Sequence, residues 1–136
     1  MHPTIARLND AMNRHDAREM ASLFSPDYRS EQPVHPNRGF GGAAQVQANW
    51  TQMFTGVPNM QVECLGEIND GVTSWSEWSW TGTHIDGTPF AMRGVVIFGL
   101  GEDDRIHSAK LYMEPVEQGG ADIEDAVRQL AQPGGG

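Results

Sequence analysis

The constraint that most narrows what this chain folds into is the run VTSWSEWSWTGTHIDGTPFAMRGVVIFGL at residues 72–100. It sets two stretches rich in β-branched and aromatic residues on either side of a turn-forming centre at 82–89, the pattern of a long β-hairpin. Trp75, Trp78 and Trp80 all lie on its first arm, so that strand carries bulky apolar surface on both faces. A strand of this kind needs something packed against each side, and the rest of the chain is read as supplying it.

Upstream, Ile5, Leu8 and Met12 recur at helical spacing over residues 3–14, with Pro3 where a first-turn proline costs nothing. Asp16 and Glu19 have the spacing of a capping box, and Ala17, Met20, Ala21 and Phe24 then mark a second, shorter helix stopped by Ser25-Pro26. A brief strand is expected over 28–32, followed by a Gly/Pro-rich loop at 35–42. From Ala43, the steps Val46, Trp50, Met53, Phe54 and Val57 predict a third helix closed by Gly56 and Pro58.

The period then changes to two. Met60, Val62, Cys64 and Ile68 alternate with Gln61, Glu63 and Glu67, which predicts a half-buried strand, and Asn69-Asp70-Gly71 turns the chain into the tryptophan strand. A last strand is expected over 105–114, ended by Pro115. The succession is therefore four antiparallel strands after the helices. Ile123, Ala126, Val127 and Leu130 then mark a closing helix capped by Asp122, before a Pro-Gly-Gly-Gly tail. The expected organisation is a single domain over 1–118, a C-terminal helix within 119–132 and a flexible tail at 133–136.

Charge and cysteine content exclude several functions. Nine basic against eighteen acidic residues give a formal charge of −9. That balance repels phosphate backbones and anionic headgroups, so neither nucleic acid nor a membrane surface is expected as a partner. The single cysteine, Cys64, has no internal partner, and no charged segment followed by an apolar run opens the chain, so a cytoplasmic protein is expected.

Several strings taken in order resemble a known family. They are Asn13-Arg14-His15-Asp16 with the helix end Leu23-Phe24, Gly82-Thr83-His84 and Asp86-Gly87-Thr88-Pro89 in the hairpin, Arg93-Gly94-Val95, and Leu111-Tyr112-Met113-Glu114-Pro115. Their order and spacing over about residues 4–117 resemble the SnoaL-like, polyketide cyclase-like branch of the nuclear transport factor 2-like superfamily. That superfamily also holds ketosteroid isomerases and limonene epoxide hydrolases. The resemblance implies an α+β fold in which a curved antiparallel sheet wraps around N-terminal helices as a cone enclosing a pocket.

It also shows which inherited chemistry is missing. Where the isomerases carry their general-base aspartate this chain has Gln32, and an amide cannot abstract a proton. Their oxyanion-hole tyrosine and aspartate fall at Leu8 and Val96. The residues of the epoxide hydrolase triad fall at Trp78, Trp80 and Leu111. On that register Trp78, Trp80, Met92, Val96, Phe98, Ala109, Leu111 and Met113 point into the cone, meeting Trp50 and Phe54 of the third helix, and all of these except Ala109 form the expected substrate-binding set. The opposite face carries Trp75, Glu77, Arg93, Val95, Ile97, Lys110 and Tyr112, with Glu77 placed to pair with Arg93 or Lys110. The resemblance implies a homodimer joined through that convex face.

The remaining candidates each have a plainer reading. His35, in the loop beside Gln32, is a candidate acid or base near neutral pH, or simply a surface histidine. Tyr28, Ser30 and Gln32 share one side of the short strand and either present hydroxyls and an amide to a ligand or satisfy one another. Glu77 and Glu114 are either buried bases or, by strand parity, outward-facing partners of cations. His84 falls in the hairpin turn and His107, by parity, faces inward. No third ligand or HxxxH spacing joins the histidines, so no metal is expected. The tryptophans are core residues before they are a ligand box.

These readings lead to a protein expected to bind a small, mostly apolar organic molecule of cyclic or polyketide-like character, without a cofactor. Isomerisation, cyclisation or hydrolysis would rest on His35, Tyr28 and Gln32. The alternative is a non-catalytic ligand-binding or dimeric accessory module.

Overall fold

Three residues, Arg14, His15 and Asp16, join the first two helices and set how both face the core. In the computed structural model, which describes residues 1–134, helix α1 spans Pro3–Asn13 and helix α2 spans Ala17–Ser22. Asp16 caps α2 by accepting from the Glu19 backbone N–H at 2.9 Å, as the capping-box spacing predicts. His15 sits between them with φ of 56°, which turns the chain sharply enough for both helices to face one core.

Strand β1 runs Phe24–Glu31, a short 3₁₀ turn follows at Pro36–Arg38, and β2 is only Phe40–Gly41. Helix α3 spans Ala43–Gly56. The meander consists of β3 at Gln61–Asn69, β4 at Thr73–Thr83, β5 at Pro89–Leu100 and β6 at Ile106–Pro115, and α4 closes at Ile123–Ala131. Six strands form one curved sheet in the order β2-β1-β6-β5-β4-β3. The fold is the expected α+β plan. The expected tail at 133–136 extends to Gly135 and Gly136, which lie outside the described residues.

Two features of this sheet differ from the sequence reading. Phe24 does not belong to the second helix: β1 begins there and pairs in parallel with β6, Phe24 opposite Ile106. Pro26 is no obstacle, because it falls within the irregularity between Phe24 and Arg29, where no ladder bond is required of it. The sheet is therefore larger than a meander, and β1 becomes a full wall of the cone.

The second difference is a pair of bulges, each of which reverses the parity of everything beyond it. In β3 the register slips between Cys64 and Gly66. Met60 and Val62 are buried as expected, but Ile68 is 80 % exposed. Glu67 takes the inward place, its side chain only 4 % exposed, where it accepts from Ser74 Oγ at 2.7 Å, the His2 backbone N–H at 2.8 Å and Asn69 Nδ2 at 2.9 Å. In β6 the slip falls between Ser108 and Ile106. His107 is thereby turned out of the cone and lies 2.9 Å from Asp103 and 3.5 Å from Asp27.

Along β4 the alternation is clean. Ser74, Ser76, Trp78 and Trp80 are buried, whereas Trp75 is 57 % exposed. Trp78 Nε1 donates to Ser76 Oγ at 2.8 Å, and that hydroxyl donates to the Val96 carbonyl at 3.1 Å, so the bulkiest core side chain leaves no orphan donor. On the outer face Glu77 meets Arg93 at 3.4 Å. Lys110 forms no ion pair with Glu77, since it stands opposite Ile97 on the next strand. Gly94, between Trp78 and Met113 in register, is required by close approach. A Cβ there would overlap the Tyr112 carbonyl and come within 2.8 Å of Met113 Cα.

The open edge of the sheet, β3, is covered by α1. Asn13 accepts from the Val62 backbone N–H at 2.7 Å and donates to the Val62 carbonyl at 2.9 Å. Asn9 Oδ1 accepts from the Cys64 N–H at 3.3 Å, and His15 Nε2 lies 2.7 Å from the Met60 carbonyl. Edge groups that would otherwise invite another chain are thus bonded to the helix that closes the cone.

Candidate functional site

The interior of the cone is built from alternate residues of four strands and one face of α3. It contains a cavity of about 270 Å³. Trp78 and Trp80 from β4, Met92, Val96 and Phe98 from β5, and Ala109, Leu111 and Met113 from β6 line its sheet side. Trp50 and Met53 approach from α3, and Leu8, Met12 and Met20 from the first two helices. Trp50 meets Trp80 edge-on, with centroids 5.1 Å apart at 80°, an arrangement the ring quadrupoles favour.

Five polar side chains interrupt this surface: Tyr28, Ser30, Gln32, Arg38 and Asn49. Tyr28 and Ser30 come from β1, whose inward residues recur every second position, and Gln32 continues that alternation just past its end; Arg38 comes from the 3₁₀ turn and Asn49 from α3. Arg38 Nη1 donates to Gln32 Oε1 at 3.1 Å. Gln45 donates to Asn49 Oδ1 at 2.7 Å. No carboxylate or imidazole is among the lining residues. Burial pushes the Tyr28 phenol up to about 12, with the neighbouring Ser30 hydroxyl partly opposing, so it stays a protonated donor across the neutral range.

The structure separates the remaining candidates from this group. His35 does not line the cavity; its Nε2 lies 2.6 Å from Glu114 Oε1, at the end of β6, with both side chains partly exposed. Phe54 does not line it either. It is buried behind Trp50, stacked on His15 with centroids 4.5 Å apart and planes 5° from parallel. His84 packs edge-on against Phe90 in the hairpin turn. Among the described residues no cluster of three or more His, Cys, Asp or Glu is placed to hold a metal ion, and no helix is long and apolar enough to cross a membrane.

Arg38 and Asn49 were not singled out by the sequence. Arg38 sits in a loop whose composition signals only turns, and Asn49 is masked by the hydrophobic periodicity around it. The sole available hint was the position of Asn49 next to Trp50.

A cone of this kind invites comparison with known proteins. The profile of a family described as the SnoaL-like domain matches residues 5–109. This chain belongs to the SnoaL-like family. No curated protein sequence matches it. Solved structures share the SnoaL-like chain's fold at low identity. The epoxide hydrolase/cyclase-like enzyme SalBIII, described in pyran ring formation in the polyether salinomycin, superposes with a TM-score of 0.71 at 18 % identity, covering 82 % of this chain and 88 % of its own. A ketosteroid isomerase-like protein from Catenulispora acidiphila, crystallised with trimethylamine, gives 0.70 at 16 % identity over 79 % and 82 %. A Mycobacterium tuberculosis protein in complex with estradiol-17beta-hemisuccinate gives 0.69 at 15 % over 80 % and 89 %. At such identities the likeness shows that the SnoaL-like chain has the nuclear transport factor 2-like, ketosteroid isomerase-like fold.

Proposed function

We propose that the chain encloses a small, mostly apolar organic molecule of cyclic or polyketide-like character in its cone. The observation that carries this reading is a cavity of about 270 Å³ whose apolar wall is broken only by side chains grouped from β1, the turn after it and α3. An apolar chamber with a few placed polar groups is the common form of a small-molecule site. Crystallisation of fold neighbours with small ligands supports the same reading. Titrating the protein with 2-naphthol while following the emission of the cavity tryptophans tests it. Saturable quenching is expected, lost in Leu111→Lys, which places an ammonium in the wall. Absence of saturation in the wild type refutes the reading.

The chemistry this site supports best is positioning and polarisation by Tyr28 and Gln32, because no lining group is a base at neutral pH. A second reading has one observation in its favour. His35 is oriented by Glu114 at 2.6 Å and is linked through the loop backbone to both rim residues, donating to the Gln32 carbonyl and accepting from Arg38 N–H. On this reading the imidazole, released from Glu114 toward the rim, is the acid or base for isomerisation, cyclisation or hydrolysis. Turnover unchanged in His35→Ala removes it from the mechanism.

The exposed Trp75 and Tyr112 beside the Glu77–Arg93 pair support a further part of the proposal, a homodimer joined through the convex sheet face. A cytoplasmic setting accords with the lone thiol of Cys64.

A further inference from the structure

At the rim of the cavity Arg38 and Gln32 present hydrogen-bond donors, beside the Tyr28 and Ser30 hydroxyls, which can donate or accept. The Gln32 amide oxygen is occupied by Arg38, and a guanidinium only donates, which leaves the Gln32 NH₂ group facing outward from that bond as a pair of donors. The Asn49 oxygen is likewise occupied, by Gln45. Tyr28 is a protonated phenol.

Charge points the same way. The chain carries −9 overall, yet no acidic side chain lines the cavity, and Arg38 is its one charged wall residue. Arg38 makes no ion pair with any described carboxylate: its nearest recorded partner is the neutral Gln32. On a strongly acidic surface, a guanidinium left with an amide at the mouth of an apolar chamber is matched to an acceptor that arrives from outside.

We propose that the molecule bound in the cone is an organic acid, its apolar ring system against the tryptophan wall and its carboxylate at the rim, held by the Arg38 guanidinium and the Gln32 NH₂ group. This rests on the cone being a binding site at all, and names the class of what it takes. A neutral hydrocarbon would leave the donors unpaired, and an amine would meet Arg38 head-on, so the site selects against both.

The test compares 2-naphthoate with methyl 2-naphthoate by calorimetry on the full-length protein. The acid is expected to bind about tenfold more tightly than its ester, the scale of one charge-assisted hydrogen bond at a partly exposed site. Its affinity should fall as salt is raised while that of the ester holds. Arg38→Ala should remove the acid's advantage without weakening the ester, and Arg38→Lys should restore only part of it, since an ammonium lacks the planar fork. Arg38 lies on an exposed turn, and circular dichroism of each variant checks that the fold is kept. If the ester binds as tightly as the acid, or Arg38→Ala weakens both alike, the acid assignment is wrong while the cavity remains a binding site. If neither compound binds, both readings fall together.

Discussion

Replacing Asn13 with Ala tests how the cone is closed. Its side chain satisfies both backbone groups of Val62, accepting at 2.7 Å and donating at 2.9 Å. Val62 is only 6 % exposed, so the alanine variant strands an N–H and a C=O that water reaches poorly. An unsatisfied buried group costs about 1–3 kcal/mol, and two of them at a strand edge, where some hydration is regained, cost about 2–3 kcal/mol together. With an unfolding entropy of about 2.1 cal/mol/K per residue, 136 residues lose roughly 3.5 °C per kcal/mol, so the thermal midpoint should drop by about 7–10 °C. Asn13→Asp keeps the acceptor for the N–H but sets a carboxylate against the carbonyl, and should recover little of the loss. Circular dichroism melts at neutral pH measure both. A shift below about 2 °C for Asn13→Ala would mean that solvent already satisfies Val62 and that this side chain adds little to holding the helix against the sheet.

Three more outcomes follow from particular contacts. Burial pushes the Glu67 carboxyl upward, but hydrogen bonds from Ser74, the His2 N–H and Asn69, with the N-terminal charge nearby, outweigh it and hold the group below the usual carboxylate range. Its contribution is therefore complete above the unfolded-state value and lost as pH falls through the lower folded one. Urea midpoints of the wild type should exceed those of Glu67→Gln by an amount worth about 1–3 kcal/mol at pH 7, with the gap closing as the pH is taken into the acid range below about 4. A gap independent of pH would contradict this. Gly94→Ala drives a methyl into the Tyr112 carbonyl and should cost about 3 kcal/mol or more through displacement of β5 from β6; a melt like that of the wild type would show that the strands part without penalty. If the proposed homodimer forms through the convex face, Glu77→Arg, which reverses the sign opposite Arg93 there, should convert it to a monomer in sedimentation while pocket binding persists. Unchanged assembly would place the interface elsewhere.

The sequence by itself determined the local elements and the faces that share a period. The tryptophan hairpin, the boundaries of α1, the capping of α2 by Asp16 and the inward set Trp78, Trp80, Val96 and Phe98 all follow from spacing of 3.6 or 2 and from turn chemistry, because those signals are local and the side chains are bulky. What only the tertiary structure decided is where a local rule is broken by a long-range pairing. The parallel bond of β1 to β6 claims Phe24 from its helix, two one-residue bulges exchange Ile68 for Glu67 and expel His107, and α1 uses Asn9 and Asn13 to cover a strand about fifty residues away. The same holds for the site. Its apolar wall was legible as alternation, but the contribution of Arg38 and Asn49, and the withdrawal of His35 to Glu114, depend on how a turn and a helix are set over the sheet. Periodicity records which way a residue faces within its own element; it carries no record of what another element brings opposite.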